Sequence, residues 1–170
     1  MAALRVDAAA PDDARAMLRR CCGSRVWVDR MMARRPYGTA DAMVMAAREV
    51  WLSLATADWL EAFAAHPRIG DRASLAARFP DTGHLATSEQ AGVAGAPADV
   101  LDALATGNAA YEARFGHIFI VCASGLSAEE MLEQLQARLG NDPQTELRIA
   151  AGEQLRITER RLRGQLTANS

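Results

Sequence analysis

The chain has 170 residues, half of them hydrophobic, and a formal net charge of −2. That length allows one domain with a substantial core, and that charge gives no general attraction to nucleic acid or anionic membranes. All 19 basic residues are arginine, so lysine Schiff-base chemistry, pyridoxal phosphate catalysis through a lysine and a lysine-bearing phosphate loop are excluded.

Cys21, Cys22 and Cys122 are odd in number and two are adjacent, which is no disulfide framework. They suit a reducing compartment. They lack paired zinc spacing, and His66, His84 and His117 are scattered, so no metal centre is expected. No apolar run reaches the roughly 18 residues that span a bilayer. Met1–Asp7 has no secretory h-region and Leu166–Ser170 no lipidation or peroxisomal ending, so the expected location is cytoplasmic.

Pro11-Asp12-Asp13 opens a first helix that runs to about Cys22, with its acids at the favourable end. Ser24 caps a second helix carrying Val26, Trp27, Met31 and Met32, and Pro36-Tyr37-Gly38 breaks it. Thr39 begins a long helix whose Met43, Val44, Ala47, Val50, Trp51 and Leu54 recur at three- and four-residue steps, one buried face. The next helix, over Ala57–Ala65, stops at His66 because Pro67 disfavours the α region for the residue before it.

Arg72–Phe79 reads as a short helix, Pro80–His84 as a loop, and Ser88-Glu89-Gln90 as lying near another helix start. Ala98–Arg114 is helical. Ile118–Cys122 is a short apolar run that reads as a buried extended segment, although periodicity alone does not distinguish it from helix. Ser127 and Glu130 have capping-box spacing, and Gly140 ends the helix they start. Asp142 caps the last helix, with Pro143 at its first position, and that helix continues to about Leu166. The expected fold is all-α: a single compact domain of seven or eight helices, residues 1–170, with one short extended segment.

A histidine held at a helix end by a proline turn can exchange a proton near neutral pH, yet alone it is an ordinary helix stop. The arginines between Arg15 and Arg35 are interleaved with Asp12, Asp13 and Asp29, which reads as a solvated helical face and not a nucleic-acid surface. His84 and His117 read as loop or structural residues.

Four stretches together carry more. They are His66-Pro67-Arg68-Ile69-Gly70, Glu89-Gln90-Ala91-Gly92, Phe115-Gly116-His117-Ile118-Phe119-Ile120, and Glu153 with Ile157, Thr158, Arg161 and Leu162 in the last helix. In this order they resemble the 2-oxo-4-hydroxy-4-carboxy-5-ureidoimidazoline (OHCU) decarboxylases, which act last in converting urate to allantoin. The resemblance covers nearly the whole chain from the Thr39 helix to Leu162. It departs at Ala86, where the family often has serine.

The resemblance implies a cofactor-independent carboxy-lyase with His66, Glu89 and Arg161 as catalytic residues. His66 would transfer the proton. Glu89 would orient His66 or bind substrate N–H and O–H groups. Arg161 would hold the anionic ureide by a two-pronged pair, and the Ile-Thr-x-x-Arg-Leu frame selects it over Arg160. Pro67, Ser88, Gln90 and the Phe119, Ile120 and Val121 strip would contact substrate, the strip through backbone groups that an extended segment leaves available. Apolar helical faces and the resemblance suggest a homodimer with neither nucleic-acid nor membrane partners. A hydrolase of a related ureide and a non-catalytic helical module binding a small anion or a partner protein are the alternatives.

Overall fold

In the computed structural model, residues 3–68 and 96–166 are described, the side chains of residues 165 and 166 excepted. The described residues form eight α-helices and no strand, in agreement with the all-α expectation. They are α1 (Arg5–Ala8), α2 (Pro11–Cys21), α3 (Arg25–Ala33), α4 (Ala40–Leu52), α5 (Thr56–Ala64), α6 (Ala98–Phe115), α7 (Ala128–Arg138) and α8 (Pro143–Leu166). The expected Arg72–Phe79 helix, the Pro80–His84 loop and the helix start at Ser88 lie outside the described residues.

Most boundaries follow from caps written locally. The Ser24 hydroxyl accepts from Trp27 N–H, Thr39 Oγ1 from Ala42 N–H, and Asp142 from Thr145 N–H. Each satisfies a donor that the first helical turn leaves without an intrahelical partner. Ser127 and Glu130 form the expected reciprocal box, each side chain accepting from the other's backbone N–H at 3.1 Å. Gly116 ends α6 in the left-handed region at φ 77°, a conformation that glycine adopts without a Cβ penalty.

The chain divides into two compact units, Met1–Ala65 with Leu155–Ser170, and His66–Gln154. In the first, α1 packs on α2, α2 on α3, and α3 on both α4 and α5. Leu18, Trp27, Met31, Met43, Trp51 and Phe63 are all but fully buried there. Trp27 Nε1–H donates to the Ala47 carbonyl, which satisfies the one polar atom of a core indole.

In the second unit α6 packs on α7. A Cβ on Gly107 would lie 2.6 Å from Leu135 Cδ2, so a larger residue there would force the buried Leu135 side chain to shift. The core here joins Leu104, Tyr111, Phe119, Val121, Met131 and Leu135. Residues 117–123 between α6 and α7 are non-helical and pair with no strand, and Phe119–Ala123 are buried. The apolar run therefore settles as a buried non-helical strip.

Candidate active site

Helix α5 ends at Ala64, and His66 and Pro67 follow outside it, as the Pro67 argument requires. Both are buried, and His66 is only 9% exposed. Its Nε2 lies 2.5 Å from Oε1 of Gln154, a fully buried residue of α8. An amide oxygen only accepts, so Nε2–H of the ring is the donor in this contact. Next in the chain, Arg68 makes a forked pair with Glu112 of α6, Nε to Oε1 at 2.5 Å and Nη2 to Oε2 at 3.0 Å. The fork ties the His-Pro turn to α6 through a planar match of guanidinium and carboxylate.

The Phe119–Val121 strip lies in the same unit. The Ile120 carbonyl accepts from Arg138 Nη1 at 2.7 Å, and Cys122 N–H donates to Glu153 Oε2 at 3.1 Å. The Ile120 carbonyl is thus already engaged by the protein. Among the described residues, the N–H groups of Phe119, Ile120 and Val121 have no protein acceptor. Donors of this kind suit the carbonyl and ureido oxygens of a small ureide.

In the first unit, the C-terminal half of α8 buries Ile157, Thr158 and Leu162. Arg161 is half-buried and Arg160 exposed, so the two adjacent arginines occupy different environments. Burial pushes the Cys22 thiol up to about 12, against the lowering effects of a Thr158 hydrogen bond and the Arg161 charge. Cys22 is accordingly a neutral thiol and no nucleophile at physiological pH.

The His117 ring lies against those of Tyr111 and Phe115, at 5.5 and 6.3 Å between centroids. Ser88, Glu89 and Gln90 lie outside the described residues, as do Ala86 and His84. No group of three or more His, Cys, Asp or Glu side chains among the described residues is arranged to hold a metal.

Three polar residues near these groups escaped the sequence reading: Gln154, Arg138 and Glu146. For Gln154 a signal existed, because 154, 158 and 161 recur at steps of four and three on α8. A glutamine on that stripe is a polar group on an otherwise inward-facing row.

The family model described as OHCU decarboxylase matches residues 7–163. The uric acid degradation bifunctional protein TTL of Arabidopsis thaliana is 42% identical over 143 residues, 84% of this chain and 44% of that protein. The 2-oxo-4-hydroxy-4-carboxy-5-ureidoimidazoline decarboxylase of Amia calva is 44% identical over 55 residues, 32% of this chain and 31% of that protein. The chain thus spans less than half the length of these curated relatives.

Among solved structures, an OHCU decarboxylase crystallised in the presence of (S)-allantoin is similar at 38% identity and a TM-score of 0.74. The match covers 88% of this chain and 96% of that one. An (S)-allantoin synthase structure shares the fold, with a TM-score of 0.68 at 15% identity, over 95% of this chain and 52% of that one. With a family model matching all but the ends of the sequence, the chain belongs to the OHCU decarboxylase family.

Proposed function

We propose that this chain, residues 1–170 acting as one OHCU decarboxylase-like domain, converts 2-oxo-4-hydroxy-4-carboxy-5-ureidoimidazoline to (S)-allantoin and carbon dioxide in urate breakdown. The observation that carries the reading is the burial of His66, its ring held by Gln154, within the His66–Gly70 stretch that carries part of the family resemblance.

The substrate has a carboxylate and a hydroxyl on one ring carbon, next to a C=N bond. When the carbon–carboxylate bond breaks, its electron pair forms a C=C bond to the ureido-bearing carbon, and the C=N pair moves to nitrogen. That nitrogen takes up a proton, the hydroxyl gives up its proton to become a carbonyl, and the ureido-bearing carbon takes one proton on one face, so one proton is consumed overall. The substrate is its own electron sink, so the reaction calls for neither metal nor organic cofactor. The protein's part is orientation, charge stabilisation and placement of one proton.

His66 transfers the proton to carbon, since an imidazole can give or take a proton near neutral pH. Glu89 orients His66 or binds N–H and O–H groups. Arg161 holds the carboxylate by its planar fork. Pro67, Ser88, Gln90 and the backbone donors of Phe119, Ile120 and Val121 complete the binding groups. No described helix is long and apolar enough to cross a membrane. The same reading takes the enzyme as a cytoplasmic homodimer without nucleic-acid or membrane partners. Exposed Met45, Leu52 and Leu60 offer apolar surface for the self-contact.

The test is carbon dioxide release from substrate freshly made from urate, with circular dichroism of the product. The expected outcome is rapid release and a single allantoin enantiomer. His66→Asn should lower turnover by roughly 10² to 10⁴-fold with the fold retained, the usual share of a general acid–base group. Wild-type protein that releases ammonia or urea but no carbon dioxide would make it a hydrolase, and inert protein that still binds the ureide a non-catalytic module.

A further inference from the structure

Behind the Phe119–Val121 strip stands a buried ionic cluster that the proposed chemistry does not use. Arg138 of α7 is 7% exposed and Glu146 of α8 fully buried. Arg138 Nε donates to Glu146 Oε1 at 2.7 Å, and Nη2 lies 2.6 Å from the same oxygen. Tyr111 O–H donates to Glu146 Oε1 at 2.5 Å and Asn141 Nδ2 to Oε2 at 3.0 Å. The carboxylate is therefore held on both oxygens, and the guanidinium is held by the carboxylate.

A buried ion pair is a poor source of stability, because desolvation consumes most of the attraction and apolar residues of similar volume often serve as well. What an apolar pair cannot do is direct a backbone. Arg138 Nη1 donates to the Ile120 carbonyl, and the guanidinium lies over the Phe119 ring, 4.5 Å from its centroid. The cis peptide bond among the described residues is Arg35–Pro36, so Ile120–Val121 is trans. In a planar trans peptide the N–H points opposite to the C=O. Fixing the Ile120 carbonyl on Arg138 therefore aims Val121 N–H away from the cluster. Glu153, by accepting from Cys122 N–H, fixes the next peptide in turn.

We infer that Arg138, locked by Glu146, is a positioning residue for the decarboxylation: it sets the direction in which the Phe119–Val121 strip presents its N–H groups to the ureide. The inference rests on the function proposed above. Arg138 itself touches no substrate.

The test uses the full chain and the Arg138→Met/Glu146→Gln double variant, which removes both charges and leaves neither buried alone. Melting, kcat, KM and hydrogen–deuterium exchange of the peptide spanning 117–124 are measured. Expected are near-native melting, a KM raised about tenfold, the value of one lost interaction of ordinary strength, and kcat within about threefold. Such a split marks lost binding alignment and not lost chemistry. Faster exchange confined to the strip should accompany it.

Native KM and native exchange in the folded double variant would overturn the inference. If the double variant fails to fold, Arg138→Lys decides. It keeps a charge for Glu146 but lacks the second prong for Ile120, so a raised KM supports positioning and a native KM overturns it. Wild-type protein that releases no carbon dioxide would sink the function reading, and the positioning of catalysis with it. Exchange of the strip would still report separately whether Arg138 pins this backbone.

Discussion

In the first unit the described ion pairs lie at the surface: Arg15 with Asp29, Arg25 with Glu61, Arg34 with Glu49, Arg48 with Glu159 and Arg163 with Asp41, each with at least one well-exposed partner. Its interior polar side chains, Ser24 and Thr158, are small. The second unit buries Arg138, Glu146, Gln154, Asn108 and His66 among its core residues. Surface pairs contribute little and are readily exchanged. Buried ones exact a desolvation cost and are destructive to halve. The first unit thus keeps its described ion pairs at the surface, whereas the second holds its polar groups in fixed directions, as the proposed proton donor and binding strip would require.

The comparison breaks most visibly at Glu146. Glu146→Leu leaves the Arg138 charge buried alone and should cost about 3–5 kcal/mol of folding stability. Glu49→Leu, which removes the exposed partner of Arg34, should cost at most about 1 kcal/mol. Urea unfolding of the two variants measures the contrast, and equal losses would show that the units do not differ in this respect.

Next in size is Gln154→Leu, which leaves the His66 ring without its acceptor in a buried setting. A buried polar group deprived of its partner costs about 1–3 kcal/mol, so turnover should fall roughly tenfold or more as the ring loses its orientation. Gln154→Glu should restore a partner for Nε2–H and recover part of the loss. Steady-state rates of the two variants provide the check.

A smaller effect is expected at the adjacent arginines. Arg161→Lys keeps the charge but loses the fork, so KM should rise with turnover partly retained, while Arg160→Lys, exposed on α8, should be near neutral. Reversed effects would place the functional frame of α8 one residue away.

The smallest effect lies in the alkaline range. The Cys22 thiol ionises at about 12 in the folded protein against an ordinary 9.0. The folded state therefore keeps a proton that the unfolded chain releases. Stability from this group is fully present below about pH 9 and is lost as pH rises toward 12. Burial raises the Tyr37 and Tyr111 phenols in the same direction. The urea midpoint should fall over this window, and less steeply in Cys22→Ala.

Features of local origin were legible in the sequence. The caps at Ser24, Thr39, Ser127 and Asp142 need only a side-chain oxygen and an N–H about three residues on, and all four stand where the residues put them. Helix α1 was not anticipated. It is one turn long, has no side-chain cap, and its Val6 is fully buried, so tertiary packing and not a local signal accounts for it.

At the site, His66 and the helix end before it could be read, but its partner Gln154 is 88 residues away in the chain. Ile118–Cys122 was ambiguous because its conformation depends on Arg138, 18 residues beyond Ile120, and on Glu153, 31 beyond Cys122. Windows of local sequence carry no term for such pairs. Ser88, Glu89 and Gln90, read from the family motif, lie outside the described residues.

The placement of the indoles has an optical consequence. Trp27, Trp51 and Trp59 all belong to the first unit, where Trp59 Nε1–H donates to the Trp51 carbonyl and the two rings stack. The second unit contains no tryptophan, and of the two tyrosines it has Tyr111, edge-on to Phe119 with its hydroxyl on Glu146. Tryptophan emission during unfolding therefore follows the first unit, while the near-ultraviolet dichroism and phenol ionisation of Tyr111 follow the second. Coincident curves from the two chromophores would make the units one cooperative body, and separated curves would resolve them without a label.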